Sequence, residues 1–410
     1  MFIRILLALA AAAMLTQGVA LYGLASAHAL AYLFGLAFMI FLFVSQRTGF
    51  SIVGSFFVVT LLIWGSITML GLLGKNGQAP ERILAAYDME LDTLKFRPDM
   101  DVATTQVSGD LGSITADPMV PRTPREVEFR TDSLGFRNNR PLAADDVILV
   151  GDGFIAGSGN TQADTLAVVL GREHGISAYS LGAPGDLYDY AVRVQAYAKE
   201  HTGAVYLFLF EGDDFGRYKD SLRPVLQRYA RFMQTTDMGK FCNLQMEKLR
   251  AAEMSREVSI LPLENISMAF YAPHVQESRR TECAAGPVFP VLIRALKDSV
   301  DGIFFIPTKY RVYAPLLMTN DATTLPDADW NALKAACAEA QIPCYNLTDA
   351  LRTEAEALWN SGRELLWWPD DTHWNRNGIA VAARAIAELQ KPAELPEPAG
   401  QQESEGVKAE

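Results

Sequence analysis

The run Asp370-Asp371-Thr372-His373-Trp374-Asn375 offers the clearest chemistry in the chain. Histidine can take and return a proton near neutral pH. Asp371 stands two residues before His373, so on one loop it can hold an imidazole nitrogen and leave the other for a reacting group. Upstream, Val150-Gly151-Asp152-Gly153-Phe154 ends an apolar run and leads into Ala156-Gly157-Ser158-Gly159-Asn160. Gly182-Ala183-Pro184-Gly185 and Glu211-Gly212-Asp213-Asp214 end two more apolar runs. The Asp213-Asp214 pair suits acid–base work, and equally a solvated loop or helix start. Ser158 reads as a turn or helix-start serine. No compact ligand spacing joins Asp213 to Asp152 or Asp371, so no metal and no cofactor is expected. Trp367, Trp368 and Trp374 surround the histidine and fit either stacking on sugar rings or packing under a C-terminal helix.

The elements that must position these residues alternate strand with helix. Strands are predicted at 146–151, 176–181, 204–210, 302–307 and 343–347. Helices are predicted at 164–173, capped by Thr161 or Asp164, at 187–200 and at 378–390. Such alternation implies a parallel sheet covered on both faces, with ligands beyond the carboxyl ends of the strands. Residues 216–290 break the rhythm and read as an insertion or cap beside the site. Residues 75–126, mixed and Pro-punctuated, read as a stalk or linker. The tail 391–410, rich in Pro, Glu and Gln, has too little apolar content to fold.

The 410 residues carry a net charge of −12, from 48 acids and 36 bases, which argues against nucleic acid as a partner. The charge is unevenly spread. Residues 1–74 hold only Arg4 and Arg47 and no acid, so the rest carries −14. Three apolar runs, at 2–20, 29–44 and 50–73, read as a membrane anchor of about three transmembrane helices. The first also has the pattern of a signal peptide. Basic residues stay cytoplasmic, and either reading puts the acidic domain in the periplasm, held at a bacterial inner membrane. Gly35, Gly54, Gly65, Gly71 and Gly74 are small enough to let helices pack closely. Cys242, Cys283, Cys337 and Cys344 all lie in the soluble part, as an oxidising compartment permits. The pairings considered are Cys337–Cys344 and Cys242–Cys283, against four free thiols.

The Gly151-Asp152-Gly153-Phe154 strand end together with the Asp371-Thr372-His373-Trp374-Asn375 block resembles the SGNH (GDSL) hydrolases. The membrane-linked branch similar to alginate O-acetyltransferase-type proteins is the nearest match. Residues 127–137, with Thr131-Asp132-Ser133-Leu134-Gly135-Phe136-Arg137, and the stretch Ile306-Pro307-Thr308-Lys309-Tyr310-Arg311-Val312-Tyr313 resemble two more of its recurring segments. The resemblance covers 127–390. It implies a flavodoxin-like, three-layer α/β/α domain with a mainly parallel sheet, following the N-terminal transmembrane helices.

Carried over residue by residue, the resemblance makes His373 the base, Asp371 its orienter and Gly185 an oxyanion-hole donor. It also exposes two departures. The family's nucleophilic serine falls on Gly153, which has no attacking atom. The family's donor asparagine falls on Asp213, and an ionised carboxylate only accepts hydrogen bonds. Trp374 joins Gly185 and Asp213 as a candidate ligand contact. The expected protein is therefore a membrane-anchored, periplasmic pseudoenzyme without serine-esterase activity. It would bind a polysaccharide or acylated ligand, or serve as an accessory subunit among other membrane-complex subunits. The alternative is an active esterase or O-acetyltransferase on envelope polysaccharide, using His373 and Asp371 with an activated water or an unrecognised nucleophile.

Overall fold

A computed structural model describes residues 79–88, 90–115, 119–198, 201–216, 258–286, 288–317 and 325–391. The expected membrane runs, the tail beyond residue 391, Cys242 and much of the expected insertion lie outside the described residues. Among the described residues, no helix is long and apolar enough to cross a membrane.

The described chain opens with α1 (Pro80–Leu84), a hairpin of β1 (Ala85–Asp88) and β2 (Thr93–Phe96), then β3 (Asp101–Gln106), α2 (Asp110–Thr115) and β4 (Arg125–Arg130). Next come β5 (Val147–Val150), α3 (Gly153–Ala156), α4 (Leu166–His174), β6 (Ala178–Ser180), α5 (Leu187–Tyr197) and β7 (Val205–Phe210). An antiparallel hairpin, β8 (Val258–Leu263) and β9 (Ile266–Tyr271), precedes α6 (Ala272–Ser278) and α7 (Val288–Ala295). The chain closes with β10 (Gly302–Ile306), α8 (Lys309–Tyr313), α9 (Ala328–Ala340), β11 (Cys344–Asn346), α10 (Thr348–Gly362) and α11 (Arg376–Leu389).

Five strands form one parallel sheet in the order β6-β5-β7-β10-β11. Their sequences are nearly all apolar because both faces are covered. Leu149, Phe208 and Phe304 face one core with Leu170, Leu351 and Ile379 from α4, α10 and α11. Ile148, Leu207 and Phe305 face the other with Val194, Ile293 and Leu333 from α5, α7 and α9. The result is the expected three-layer α/β/α arrangement, consistent with an SGNH-like fold. The chain leaves β5 toward β6 on one side and reaches β7 on the other. This topological switch point opens a crevice at the strands' carboxyl ends.

Three expectations change. The described part of residues 75–126, read as a stalk, folds onto the domain instead. β3 pairs with β4 in register, and Phe96 and Phe129 are fully buried with their rings 5.0 Å apart. Burying aromatic surface of this kind is what a free stalk cannot do. The described part of the expected insertion is a hairpin and a helix that bury Met268 and Phe270 in the first core. The helix predicted over 164–173 starts later. Gln162–Asp164 form a 3₁₀ turn, Thr165 is extended, and α4 follows without a side-chain cap.

Cys337, in α9, is bonded to Cys344 at the start of β11, as one of the considered pairings has it. Cys283 is half-buried, and burial pushes its thiol up to about 12. The 337–344 link closes a loop with a sequence separation of only 7. Closing a loop of that size restricts the unfolded chain by about 2–3 kcal/mol. The double variant Cys337→Ala/Cys344→Ala should lose about that much stability in urea unfolding. The wild type in dithiothreitol should lose the same, and an unchanged midpoint in both would contradict the link.

Candidate active site

The site is built at the switch point. β5 ends at Val150, and Asp152 then caps α3 by accepting a hydrogen bond from the Phe154 N–H at 2.9 Å. Gly153 is the first residue of α3. A Cβ on residue 153 would stand 2.5 Å from His373 Nε2 and 2.9 Å from Ser158 Oγ. The imidazole edge and the serine hydroxyl thus converge on the space that a side chain at 153 would fill.

His373 is held from behind. Its Nδ1 is 2.9 Å from Asp371 Oδ1, which also accepts the His373 backbone N–H at 3.0 Å. This arrangement places the Nδ1 proton toward Asp371 and leaves Nε2 for the site. Phe154 packs against the ring at 4.8 Å between centroids. A second carboxylate, Asp110 Oδ2, lies 3.5 Å from Nδ1. Asp110 itself accepts the Thr372 backbone N–H at 2.8 Å and the Thr372 hydroxyl. Burial alone would lower the pKa of His373, but its hydrogen bonding to Asp110 and Asp371 and their charges raise it well above its ordinary value. Burial alone would raise that of Asp110, but His373 and Thr372 hold it well below the carboxylate range. Both carboxylates lie on the Nδ1 side and favour the protonated form of His373.

Asp371 needs a second support, and Arg125 provides it. Its Nη2 lies 2.6 Å from Asp371 Oδ2, and its Nη1 lies 3.1 Å from Asp370 Oδ1. All three side chains are almost completely buried. Asp370 also accepts the backbone N–H groups of Gly109 and Thr123 at 2.7 and 2.9 Å. Lys309 grips the same loop by its carbonyls. Its Nζ donates to Trp368, Pro369 and Ala269 at 2.7, 3.0 and 2.9 Å, and reaches the Asp371 carbonyl at 3.2 Å. Burial pushes this ammonium down to about 7. Arg311 Nε donates to the buried Glu211 at 2.7 Å, and Glu211 accepts the Thr308 N–H at 2.8 Å. The stretch from Ile306 to Tyr313 thus brackets the histidine loop and the end of β7.

The other flank is acidic. Asp213 follows β7 and is exposed. Burial, reinforced by Asp213, pushes Asp152 up to about 6 despite His373. Burial and Asp152 also raise Asp214, which accepts from the Phe210 N–H and the Tyr190 hydroxyl at 2.7 and 3.1 Å. His274, from α6, packs edge-on against Phe210 at 5.1 Å, and burial lowers its pKa. Gly185 follows β6 at the same end of the sheet, in a loop whose Ala183 and Pro184 carbonyls are held by Arg193.

Of the residues singled out in the sequence, Gly153, His373, Asp371 and Ser158 come together, and Asp213 stands on the rim. Trp374 does not serve as a ligand contact. It is fully buried, and its N–H is turned to the Phe154 carbonyl at 3.3 Å, so it supports the site from below. Trp367 is buried as well, whereas Trp368 remains partly exposed, with Arg125 4.5 Å above its ring. Asp110, Arg125 and His274 had no motif to mark them. Asp110, Asp371 and His373 offer ligand atoms within 4.8 Å of one another, so they are the described residues that could meet a cation. Arg125 already supplies positive charge to Asp371 there.

A family model described as SGNH hydrolase-like domain, acetyltransferase AlgX, matches residues 302–409. This supports the SGNH-like, alginate O-acetyltransferase-type relationship read from the sequence. The match contains His373 and Asp371 but begins after Gly153, Gly185 and Asp213, so it does not bear on the departures there. The search of curated proteins found no match.

Two outcomes follow from this geometry. Arg125→Met strips two buried carboxylates of their partner and should cost about 3–5 kcal/mol in urea unfolding. A loss under 1 kcal/mol would contradict the buried pair. The second concerns pH. A folded-state pKa raised above the unfolded one gives stability that is full below the unfolded value, near 6.5, and fades as pH rises through the folded value. The stability gap between wild type and His373→Gln should therefore be widest at mildly acidic pH and narrow toward alkaline pH. A gap that widens with pH would contradict the raised pKa of His373.

Proposed function

We propose that this chain, whose residues 302–409 match an acetyltransferase-type SGNH hydrolase-like domain, recognises O-acylated glycan of the bacterial cell envelope. The observation that carries this reading is the aim of His373: Nε2 faces the open side of Gly153 while Asp371 holds Nδ1. An ester entering beside Gly153 meets His373 Nε2, which in its protonated form donates to the carbonyl oxygen. Residue 153 itself has no atom to attack with, so the family's serine chemistry does not run through it. The apolar residues 1–74 anchor the protein in the inner membrane, and Arg4 and Arg47 orient the acidic domain toward the periplasm.

A second reading is favoured by Asp213. An exposed carboxylate at the position of a donor asparagine repels the negative charge that develops on an attacked ester. On that reading the domain binds its ligand without turning it over, as an accessory subunit of a membrane complex.

The full chain in detergent micelles can be titrated with O-acetylated polysaccharide oligomers and with the same oligomers after de-O-acetylation. The acetylated form should bind at least about tenfold tighter, a difference of 1.4 kcal/mol. Gly153→Leu, which fills the space between His373 and Ser158, should erase the preference. Equal affinity of the wild type for both oligomers would remove the proposal.

A further inference from the structure

We infer that Ser158 supplies the hydroxyl that residue 153 lacks, so that the site transfers acyl groups through a serine displaced by five positions. The inference rests on the acyl-ester reading above and adds chemistry to it. Ser158 Oγ lies 2.9 Å from the point where the Cβ of a side chain at 153 would stand, and His373 Nε2 lies 2.5 Å from that same point. A side chain at 153 would have to displace the His373 ring edge and the Ser158 hydroxyl. Glycine at 153 leaves open the point that the Ser158 hydroxyl and the base both face.

The backbone around Ser158 is built to aim it. Gly157 and Gly159 both take left-handed conformations, with φ of +74° and +73°. Residues with a side chain enter that region at a cost, and two such turns on either side of one residue swing it out of the path of α3. Buried side chains then lock the main chain. Arg137 donates to the carbonyls of Gly157 and Asn160, both at 2.7 Å, and Arg125 Nε donates to the Gly159 carbonyl at 2.9 Å. Asn160 Nδ2 donates to the Ser158 carbonyl at 3.0 Å, and Glu81 accepts the Gly159 N–H at 3.1 Å. The Ser158 N–H donates to the Gly153 carbonyl at 2.9 Å, tying the two positions directly. These clamps grip main-chain atoms, and the hydroxyl is turned to the site. Gly157, Gly159 and Asn160 are buried, whereas Ser158 is partly exposed. A rigid support under an accessible hydroxyl is what nucleophilic attack requires.

Ser158 Oγ forms a bond to the ester carbonyl carbon and gives its proton to neutral His373 Nε2. The tetrahedral species collapses, the bond from the carbonyl carbon to the glycan oxygen breaks, and His373 returns the proton to that oxygen. Water or a second glycan hydroxyl then attacks the acyl-Ser158 ester, His373 takes its proton and gives it to Ser158 Oγ. The first acceptor yields a free carboxylic acid, the second an acylated glycan. Arg125 links base and nucleophile, because one guanidinium holds both Asp371 and the Gly159 carbonyl.

The test uses the full chain in detergent micelles, treated with a fluorophosphonate probe and mapped by mass spectrometry. Binding of O-acetylated oligomers is measured on the same preparations. The expected adduct is on Ser158, with a yield that rises with pH as His373 loses its proton. Labelling should fall at least about 100-fold in His373→Gln, the usual loss without a general base. It should vanish at that position in Ser158→Ala, with an unchanged melting temperature showing that the variant is folded. Gly153→Ala, whose methyl intrudes on the shared space, should also lower the yield. An adduct on another residue, or equal labelling of Ser158→Ala, would overturn the inference. So would an unlabelled wild type that still binds acetylated oligomers, which would leave the recognition reading standing. A wild type that neither binds nor labels would overturn both.

Discussion

Arg125 is buried between two aspartates, and the site depends on that arrangement. A guanidinium and two carboxylates removed from water are costly unless each is paired and hydrogen-bonded. Here Arg125 reaches Asp370, Asp371 and the carbonyls of Thr123 and Gly159. Three segments far apart in sequence are drawn to one point: the first residue of β4, the turn after α3 and the histidine loop. If any one moved away, a buried charge or carbonyl would be left without its partner. The orientation of Asp371, and through it of His373, follows from this constraint.

The charge distribution around the base raises the pKa of His373. Asp110 and Asp371 both face Nδ1, and together they outweigh the cost of burial. The same two carboxylates make His373 a hydrogen-bond donor toward an incoming ester and a base only once it has released its proton. Asp152, raised to about 6, and the exposed Asp213 add an acidic rim. That rim disfavours negative charge, which is the physical content of the accessory reading. The hydroxyl of Ser158, which faces the same open point at Gly153 as Nε2, is the physical content of the catalytic one.

How much was legible in the sequence depended on the range of the interaction. The strands Val147–Val150, Val205–Phe210 and Gly302–Ile306 are short apolar runs ended by Gly, charged or Pro residues, and a sheet covered on both faces demands that composition. Asp371 and His373 are two residues apart, so their pairing was visible. The described part of residues 75–126 was misread as a stalk because its strands are short and half-exposed. β3 alternates exposed with partly buried residues and has no strong apolar period. Asp110 and Arg125 were missed for a related reason. Each is a polar residue in a polar segment, and its partner lies some 250 residues away. Trp374 was read as a possible sugar platform, yet the interior of α11 and Phe154 claim it, because a buried indole needs only one acceptor for its N–H.

The sequence by itself determined the acidic balance, the βα alternation, the apolar runs within residues 1–74 and the glycine at 153. These are properties of composition and local order. Only the tertiary structure decided which groups share the space beside Gly153, because that depends on three loops meeting at the carboxyl end of one sheet. Ser158 is the clearest instance. In sequence it is a serine in a glycine-rich turn, with no feature to set it apart. In the fold, two left-handed glycines and the clamps of Arg125, Arg137 and Asn160 turn its hydroxyl to the base, and the missing Cβ of Gly153 leaves room for it there.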